Sequence, residues 1–125
     1  MMQVRLDIRT WSEPNLRGHW ARRARRAHQQ RQTSRTLVRA ALTALPPAQG
    51  VLDGRRRITV RLTRLGPRRL DSDNLAAALK HVRDGVADAM GLDDGDERLR
   101  WLYDQRKAGP DEYAVLVEID TDDRP

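Results

Sequence analysis

The stretch from residue 68 to residue 100 most constrains the fold of this chain, because it predicts a helix between two acidic ends. Apolar residues recur there at steps of three or four, the spacing of one helix face: Leu75, Leu79, Val82, Val86 and Met90. The helix is predicted to begin at Ser72 or Asp73, either of which is a good N-cap, and to end at Gly91. Its two acidic ends repel each other unless something neutralises them.

Charge is divided unevenly along the chain. Residues 1–70 carry 17 Arg and 3 acidic residues, whereas residues 71–125 carry 7 basic and 15 acidic residues. A basic half is typical of a surface that binds a polyanion, and an acid-rich half is typical of a cation site. Arg outnumbers Lys by 22 to 2, which either suits phosphate contact or reflects a coding bias toward Arg.

The remaining segments predict a mixed α/β pattern. Alternating apolar residues predict strands at 2–10 and 57–65, with Arg64 on the apolar side of the second. Residues 99–106 and 113–119 read as two strands joined in a hairpin. Together with helices at 19–45 and 72–90, the order is β-α-β-α-β-β. We interpret this as one small α+β domain over residues 1–125, with a mixed sheet of about four strands and two main helices.

The first predicted helix is rich in arginine. Its seam of mostly small and apolar residues has helical spacing and comprises Trp20, Ala24, Ala27, Ser34, Val38, Ala41 and Leu45, widened by Leu37 and Leu42. The arginines of its first half form either a solvated face or a face laid along a phosphate backbone.

Several classes of protein are disfavoured. The chain has no cysteine, so disulfides and thiolate chemistry are excluded. It contains no run of about 18 apolar residues and no signal-peptide pattern, which predicts a cytoplasmic protein without membrane contact. It has no Walker loop and no dinucleotide glycine motif, so no small-molecule cofactor is expected. The three histidines lack metal-ligand or triad spacing.

The carboxylates suggest a metal site. In an extended segment Asp71 and Asp73 would project to one side, and a third ligand would come from Asp94, with Asp93 next. Carboxylate oxygens suit Mg²⁺, which completes its shell with water and substrate phosphate. Lys80 lies two turns beyond Asp73, where it could contact the scissile phosphate.

Structural explanations compete with this hypothesis. An aspartate at a helix start is most often a cap that also suits the helix dipole. Residues 93–96 equally fit a solvated turn, and they do not follow the spacing of an EF-hand loop. Lys80 and Asp84 fit a surface ion pair.

The chain resembles the RusA-type Holliday junction resolvases, a family of crossover junction endodeoxyribonucleases. The motifs are D-S-D-N-L at 71–75, L-K-x-x-x-D at 79–84 and L-D-D at 92–94. The segment P-N-L-R-G-H-W at 14–20 is similar to phage-borne members. The resemblance is strong only over 71–94.

The resemblance implies a two-fold homodimer that nicks two strands of a four-way DNA junction with magnesium, in recombination and repair. It matches Asp71, Asp73 and Asp94 to the essential carboxylates and Lys80 to the essential lysine. In this chain Lys80 follows Asp73 by seven residues instead of four, a difference close to one helical turn. The residues expected to bind DNA are Asn15, Arg17, Arg22, Arg23, Arg25, Arg26, Arg68, Arg69 and Asn74.

Three hypotheses therefore stand. The first is a metal-dependent nuclease for branched DNA. The second is a DNA-binding module without catalysis, whose aspartates only cap a helix. The third is a nucleic-acid-binding subunit whose acidic residues 93–97 bind a protein partner.

Overall fold

The computed structural model describes residues 1–11, 19–45 and 56–121. The elements run in the order β1 (Met2–Leu6), α1 (Trp20–Thr43), β2 (Ile58–Gly66), α2 (Ser72–Ala78), α3 (Lys80–Met90), β3 (Leu99–Lys107) and β4 (Ala114–Thr121). The α+β class and the element order predicted from the sequence are confirmed. No helix in the described ranges has the length and apolarity needed to span a membrane.

The four strands form one mixed sheet in the order β1-β4-β2-β3. β4 pairs antiparallel with both β1 and β2, whereas β2 and β3 are parallel. The predicted hairpin between the last two strands is therefore wrong. A parallel pair needs a crossover connection, and the helices after β2 provide it by returning the chain to start β3 alongside β2. β4 then crosses to the other side of β2.

The core lies between one face of the sheet and the helices. Val60, Leu62 and Ile119 from the strands are fully buried against Val38 of α1 and Val86 of α3. Alternation placed the inward residues of β2 correctly, including Arg64, which is only 6% exposed. β1 ends at Leu6, earlier than the predicted limit of residue 10.

The buried seam of α1 differs from the predicted one at its amino-terminal end. Trp20 is 74% exposed and Ala24 is also exposed, whereas Gln30, Ser34 and Val38 are buried. Gln30 belongs to the seam because its side-chain amide donates to the backbone oxygen of Arg9 at 3.1 Å. The first turns of α1 therefore contribute no buried residue to the core before Gln30.

The long helix predicted over residues 72–90 is divided at Leu79. This residue has φ −97° and ψ 0°, and its fully buried side chain anchors the junction of α2 and α3 in the core. Gly91 ends α3 in the left-handed conformation, φ 69°, as predicted for a glycine C-cap.

An ion pair joins α1 to α3. Arg31 Nε lies 2.6 Å from Asp88 Oδ2 and Arg31 Nη2 donates to Asp88 Oδ1 at 3.0 Å, a bidentate contact. Arg39 adds a hydrogen bond to the backbone oxygen of Asp88 at 3.2 Å. These two arginines of α1 therefore hold the helix pair together.

This ion pair makes stability depend on acidity. The hydrogen bond from Arg31 lowers the pKa of Asp88 below its usual value, so the pair stabilises the fold at neutral pH and is lost as the pH falls through that lowered pKa. Asp88→Asn is expected to lower the melting temperature at pH 7. The difference from wild type should shrink at about pH 3, which is below the ordinary pKa of a carboxyl group. Thermal unfolding at both pH values measures this, with the exposed Asp120→Asn as the charge control. A difference that stays constant with pH would mean that the ion pair is not responsible.

Candidate metal and nucleic-acid site

Two of the predicted carboxylates lie at the start of α2. Asp71 is the N-cap: its backbone is extended, and its Oδ1 accepts a hydrogen bond from the backbone N–H of Asn74 at 3.0 Å. The predicted start of the helix at Ser72 is therefore confirmed, whereas the predicted cap is wrong, because Asp71 and neither Ser72 nor Asp73 occupies that position. Asp73 lies in the first helical turn, so the two side chains do not share a face by strand alternation as expected. Both side chains are nevertheless exposed at the same helix end.

The loop before α2 is fixed to the edge strand of the sheet. The side-chain amide of Gln105 on β3 accepts from the backbone N–H of Leu70 at 2.9 Å and donates to the backbone oxygen of Leu70 at 2.7 Å. This paired contact holds the residue directly before Asp71 near the carboxyl end of β3. Asp71 and Asp73 are thus positioned by backbone contacts, while their side chains face solvent.

The third predicted carboxylate, Asp94, is engaged by Arg83 of α3. Arg83 Nε and Asp94 Oδ2 are 3.2 Å apart and form an ion pair, but Nε does not donate a hydrogen bond to this oxygen. Arg83 also donates to the backbone oxygen of Asp94 at 3.2 Å and to the hydroxyl of Tyr103 at 2.7 Å. Trp101 Nε1 donates to the same backbone oxygen at 2.8 Å, and the guanidinium of Arg83 lies over its ring.

The other acidic residues of the 93–97 loop make local contacts. Asp93 Oδ1 accepts from the backbone N–H of Gly95 at 3.1 Å. Asp96 accepts hydrogen bonds from the side chain and the backbone N–H of Arg98, which lower the pKa of Asp96 to about 2. These contacts favour the alternative that residues 93–96 form a turn.

The two acidic regions are held at different points along β3. Leu70, next to Asp71, is bound to Gln105, whereas Asp94 is bound to Trp101. Four residues of a strand separate these anchors, about 13 Å. Within residues 1–11, 19–45 and 56–121, no group of three or more His, Asp or Glu side chains is arranged to hold a metal ion. The pair Asp71 and Asp73 still fits Mg²⁺, which often takes only one or two protein carboxylates.

Asn74 lies within α2, and Lys80 is the first residue of the helix that follows it. Lys80 is exposed and is the first residue of α3, so the division at Leu79 separates it from the helical turn that carries Asp73. A single helical wheel therefore does not relate the two residues. Asn74 is half-buried, and its backbone N–H is used in capping by Asp71.

The predicted DNA-binding arginines are mostly on the surface. Arg22, Arg23 and Arg25 on α1 are exposed, as are Arg68 and Arg69 directly before the carboxylates. Arg26 is half-buried, with its guanidinium 5.6 Å from the ring centre of Trp11. Asn15 and Arg17 lie outside the described residues.

The sequence did not single out three arginines that the structure places near the candidate site. Arg83 binds the acidic loop, and Arg9 and Arg64 line a cavity beside Leu70. A signal existed for Arg64, since alternation put it on the apolar face of its strand. Arg9 stacks on the nearby Trp11 but also on the distant Tyr113, and Arg83 contacts residues eleven or more positions away, so no local pattern identifies either arginine.

Comparison with known proteins gives a relative of modest similarity. An uncharacterized protein of Xylella fastidiosa is 38% identical over 85 residues, which cover 65% of this chain and 52% of the relative. The chain thus spans about half the length of that relative. No family model matches the chain, and no solved structure matches it.

Substitutions at Asp71 test its role as the cap of α2. Asparagine caps helices as well as aspartate does, so Asp71→Asn should leave the free energy of unfolding within about 0.5 kcal/mol of wild type. Asp71→Ala should cost about 1 kcal/mol because α2 loses its cap. Urea unfolding measures both values. If the two variants are equally destabilised, the carboxylate charge and not the cap stabilises this end of α2.

Proposed function

We propose that this chain is a magnesium-dependent, structure-specific endonuclease that resolves four-way DNA junctions by paired symmetric nicks, in recombination and repair. The observation that carries the proposal is the exposed pair Asp71 and Asp73 at the start of α2, directly after the exposed Arg68 and Arg69. Carboxylates that bind a hard cation thus adjoin cations that bind phosphate. The motifs at 71–94 and their resemblance to RusA-type resolvases support the same function.

The residues present fit a two-carboxylate magnesium site. Asp71 and Asp73 would hold the ion, with Asp94 and Asp93 as further candidates. To bind the ion, Asp94 would first have to break its ion pair with Arg83. When bound, magnesium would lower the pKa of a coordinated water and stabilise the negative charge on the phosphoryl oxygens. Arg68 and Arg69 would bind the strand through its phosphates, and Lys80 would contact a phosphate from the start of α3.

A homodimer suits the substrate. Two cuts related by symmetry in a four-way junction need two sites related by a dyad. The arginines of α1 and those before α2 would then hold the DNA arms while each carboxylate pair meets one strand. Because the substrate is DNA and the chain lacks cysteine, we place this activity in the cytoplasm.

Cleavage of a synthetic four-way junction tests the proposal. Each of the four strands is labelled in turn, and the protein is added with magnesium or with a chelator. Nicks at matching positions in two opposite strands, only with magnesium, are expected. Nicks in all four strands or in linear duplex alone would contradict junction resolution.

A second candidate is a DNA-binding module without catalysis. The observation that favours it is the capping bond from Asn74 to Asp71, which gives one of the two carboxylates a purely structural use. Under this function the junction is bound at every magnesium concentration and never nicked. The same labelled-strand assay, with binding followed by gel shift, therefore distinguishes the two functions.

A further inference from the structure

A cavity of about 490 Å³ opens between residues 9–11, which follow β1, the end of β2 with the segment after it, and residues 110–113. Of the described residues that were predicted to bind metal or DNA, Arg68 alone lines this cavity. The polar and charged side chains around it are those of Arg9, Thr10, Arg64, Arg68, Asp111 and Tyr113. We call it the arginine pocket, because three arginines line it: Arg9, Arg64 and Arg68.

Arg64 is a buried cation in this wall. Its Nε donates to the hydroxyl of Thr10 at 3.1 Å, and its Nη1 donates to the backbone oxygen of Arg68 at 2.9 Å. Both acceptors are neutral, and no carboxylate of the described residues, Asp111 included, forms an ion pair with it. Burial lowers the pKa of Arg64, and the neighbouring charge of Arg9 acts in the same direction, while Tyr113 opposes it. A buried charge without a counter-ion is costly, and a bound anion would remove that cost.

Arg9 is held beside it by two aromatic rings. Its guanidinium carbon lies 3.9 Å from the ring centre of Trp11 and 4.3 Å from that of Tyr113. Stacking uses the faces of the guanidinium, whereas its N–H groups lie in its plane and can still donate hydrogen bonds. Arg9 also lines the cavity. The guanidinium fork matches the spacing of two phosphate oxygens.

The backbone leaves room for this arrangement at Gly66, the last residue of β2. A Cβ atom at that position would lie 2.8 Å from Nη1 of Arg64 and 3.0 Å from its Cζ. Glycine therefore allows the guanidinium to fold back over the strand end. A side chain at residue 66 would therefore compete with the guanidinium of Arg64 for the same space.

We propose that the arginine pocket binds a backbone phosphate of the DNA strand that reaches Asp71 and Asp73, with Arg9 and Arg64 as positioning residues. This inference rests on the proposed function, since it takes branched DNA as the ligand. Leu70 lines the pocket and directly precedes Asp71, so a strand seated there continues to the carboxylates. The pocket would fix the position of the strand relative to the site of cleavage.

Metal-free binding of a labelled four-way junction tests the pocket. The dissociation constant is measured at several salt concentrations, with chelator present, for wild type, Arg9→Gln and the exposed Arg61→Gln as the matched charge control. Loss of one phosphate contact should reduce the slope of log affinity against log salt by about 0.9 in Arg9→Gln. Arg61→Gln should leave the slope unchanged. An unchanged slope in Arg9→Gln, or an equal change in both variants, would overturn the proposal.

The source of the phosphate is tested on Arg64 itself. Its Nε–H signal, assigned by comparison with Arg64→Lys, is followed by NMR during titration with the junction and, separately, with inorganic phosphate. A shift with the junction is expected. A shift with inorganic phosphate alone would make the pocket a site for a free anion and would overturn the DNA assignment.

Both readouts are independent of cleavage. If the salt slope of Arg9→Gln equals that of wild type while magnesium-dependent nicking is observed, the pocket does not bind a DNA phosphate and the nuclease proposal stands. A reduced slope without any nicking would contradict the nuclease and leave the pocket intact.

Discussion

Replacing Asp73 with asparagine is expected to lower the rate of junction nicking by about 100-fold or more while leaving junction binding within a few-fold of wild type. Asparagine keeps the size of the side chain and removes the charge that would neutralise the metal. The several kcal/mol of charge stabilisation that a metal supplies to phosphoryl transfer correspond to such a factor. Asp73 is exposed in the first turn of α2, so the fold should tolerate the change.

The rate is measured by single-turnover cleavage and the affinity by gel shift without metal. Asp120→Asn, an exposed change on β4, serves as the matched control and should retain the wild-type rate. If the Asp73→Asn variant nicks the junction as fast as wild type, Asp73 is not a catalytic residue. An equal loss of binding and rate would mean that the change acts on DNA affinity.

Gly85→Ala should destabilise the fold by about 1–3 kcal/mol or more. A Cβ at this position of α3 would lie 2.7 Å from Cβ of Ser34 and closer still to the backbone oxygen of Arg31, both on α1. The backbone oxygen cannot move without shifting α1. Alanine is otherwise favoured over glycine inside a helix by about 1 kcal/mol, so a net loss of stability isolates the clash.

Chemical unfolding followed by far-ultraviolet circular dichroism measures the change. Gly95→Ala is the matched control, because the nearest atom to its added Cβ would be Asp93 Oδ1 at 3.8 Å, ordinary contact. The control should differ from wild type by less than about 0.5 kcal/mol. A Gly85→Ala variant as stable as wild type would show that α1 and α3 can separate at little cost.

Local patterns predicted the elements better than their pairing. Alternation along β2 put Arg64 on the inward side, and the steps from Leu75 to Met90 located the helical segment. The pairing of the last two strands was mistaken because nearness in sequence favoured a hairpin. β4 carries apolar residues on both of its faces. This was the available signal that it lies inside the sheet, because both faces of an internal strand are covered more completely than those of an edge strand. The exposure of Trp20, at the amino-terminal end of α1, was not predictable from the helical spacing, which places it on the same stripe as the buried Ser34 and Val38.

The carboxylates of the candidate site were selected from the sequence, whereas their arrangement could be described only from the structure. The spacing of Asp71 and Asp73 and the resemblance at 71–94 pointed to carboxylate chemistry. The ion pair between Arg83 and Asp94 joins a helix to a loop, and no periodicity encodes such a contact. The capping role of Asp71 depends on where the helix starts, a boundary that sequence patterns locate only to within a few residues.

The position of a bound metal ion decides whether the start of α2 is a metal site. Isotopically labelled protein is titrated with Mn²⁺, whose unpaired electrons broaden NMR signals near the ion. The account predicts that the amide signals of Asp73 and Asn74 disappear first, and that they persist in Asp73→Asn at the same Mn²⁺ concentration. Broadening confined to the acidic loop 93–97, or equal across the protein, would contradict a metal site at the start of α2.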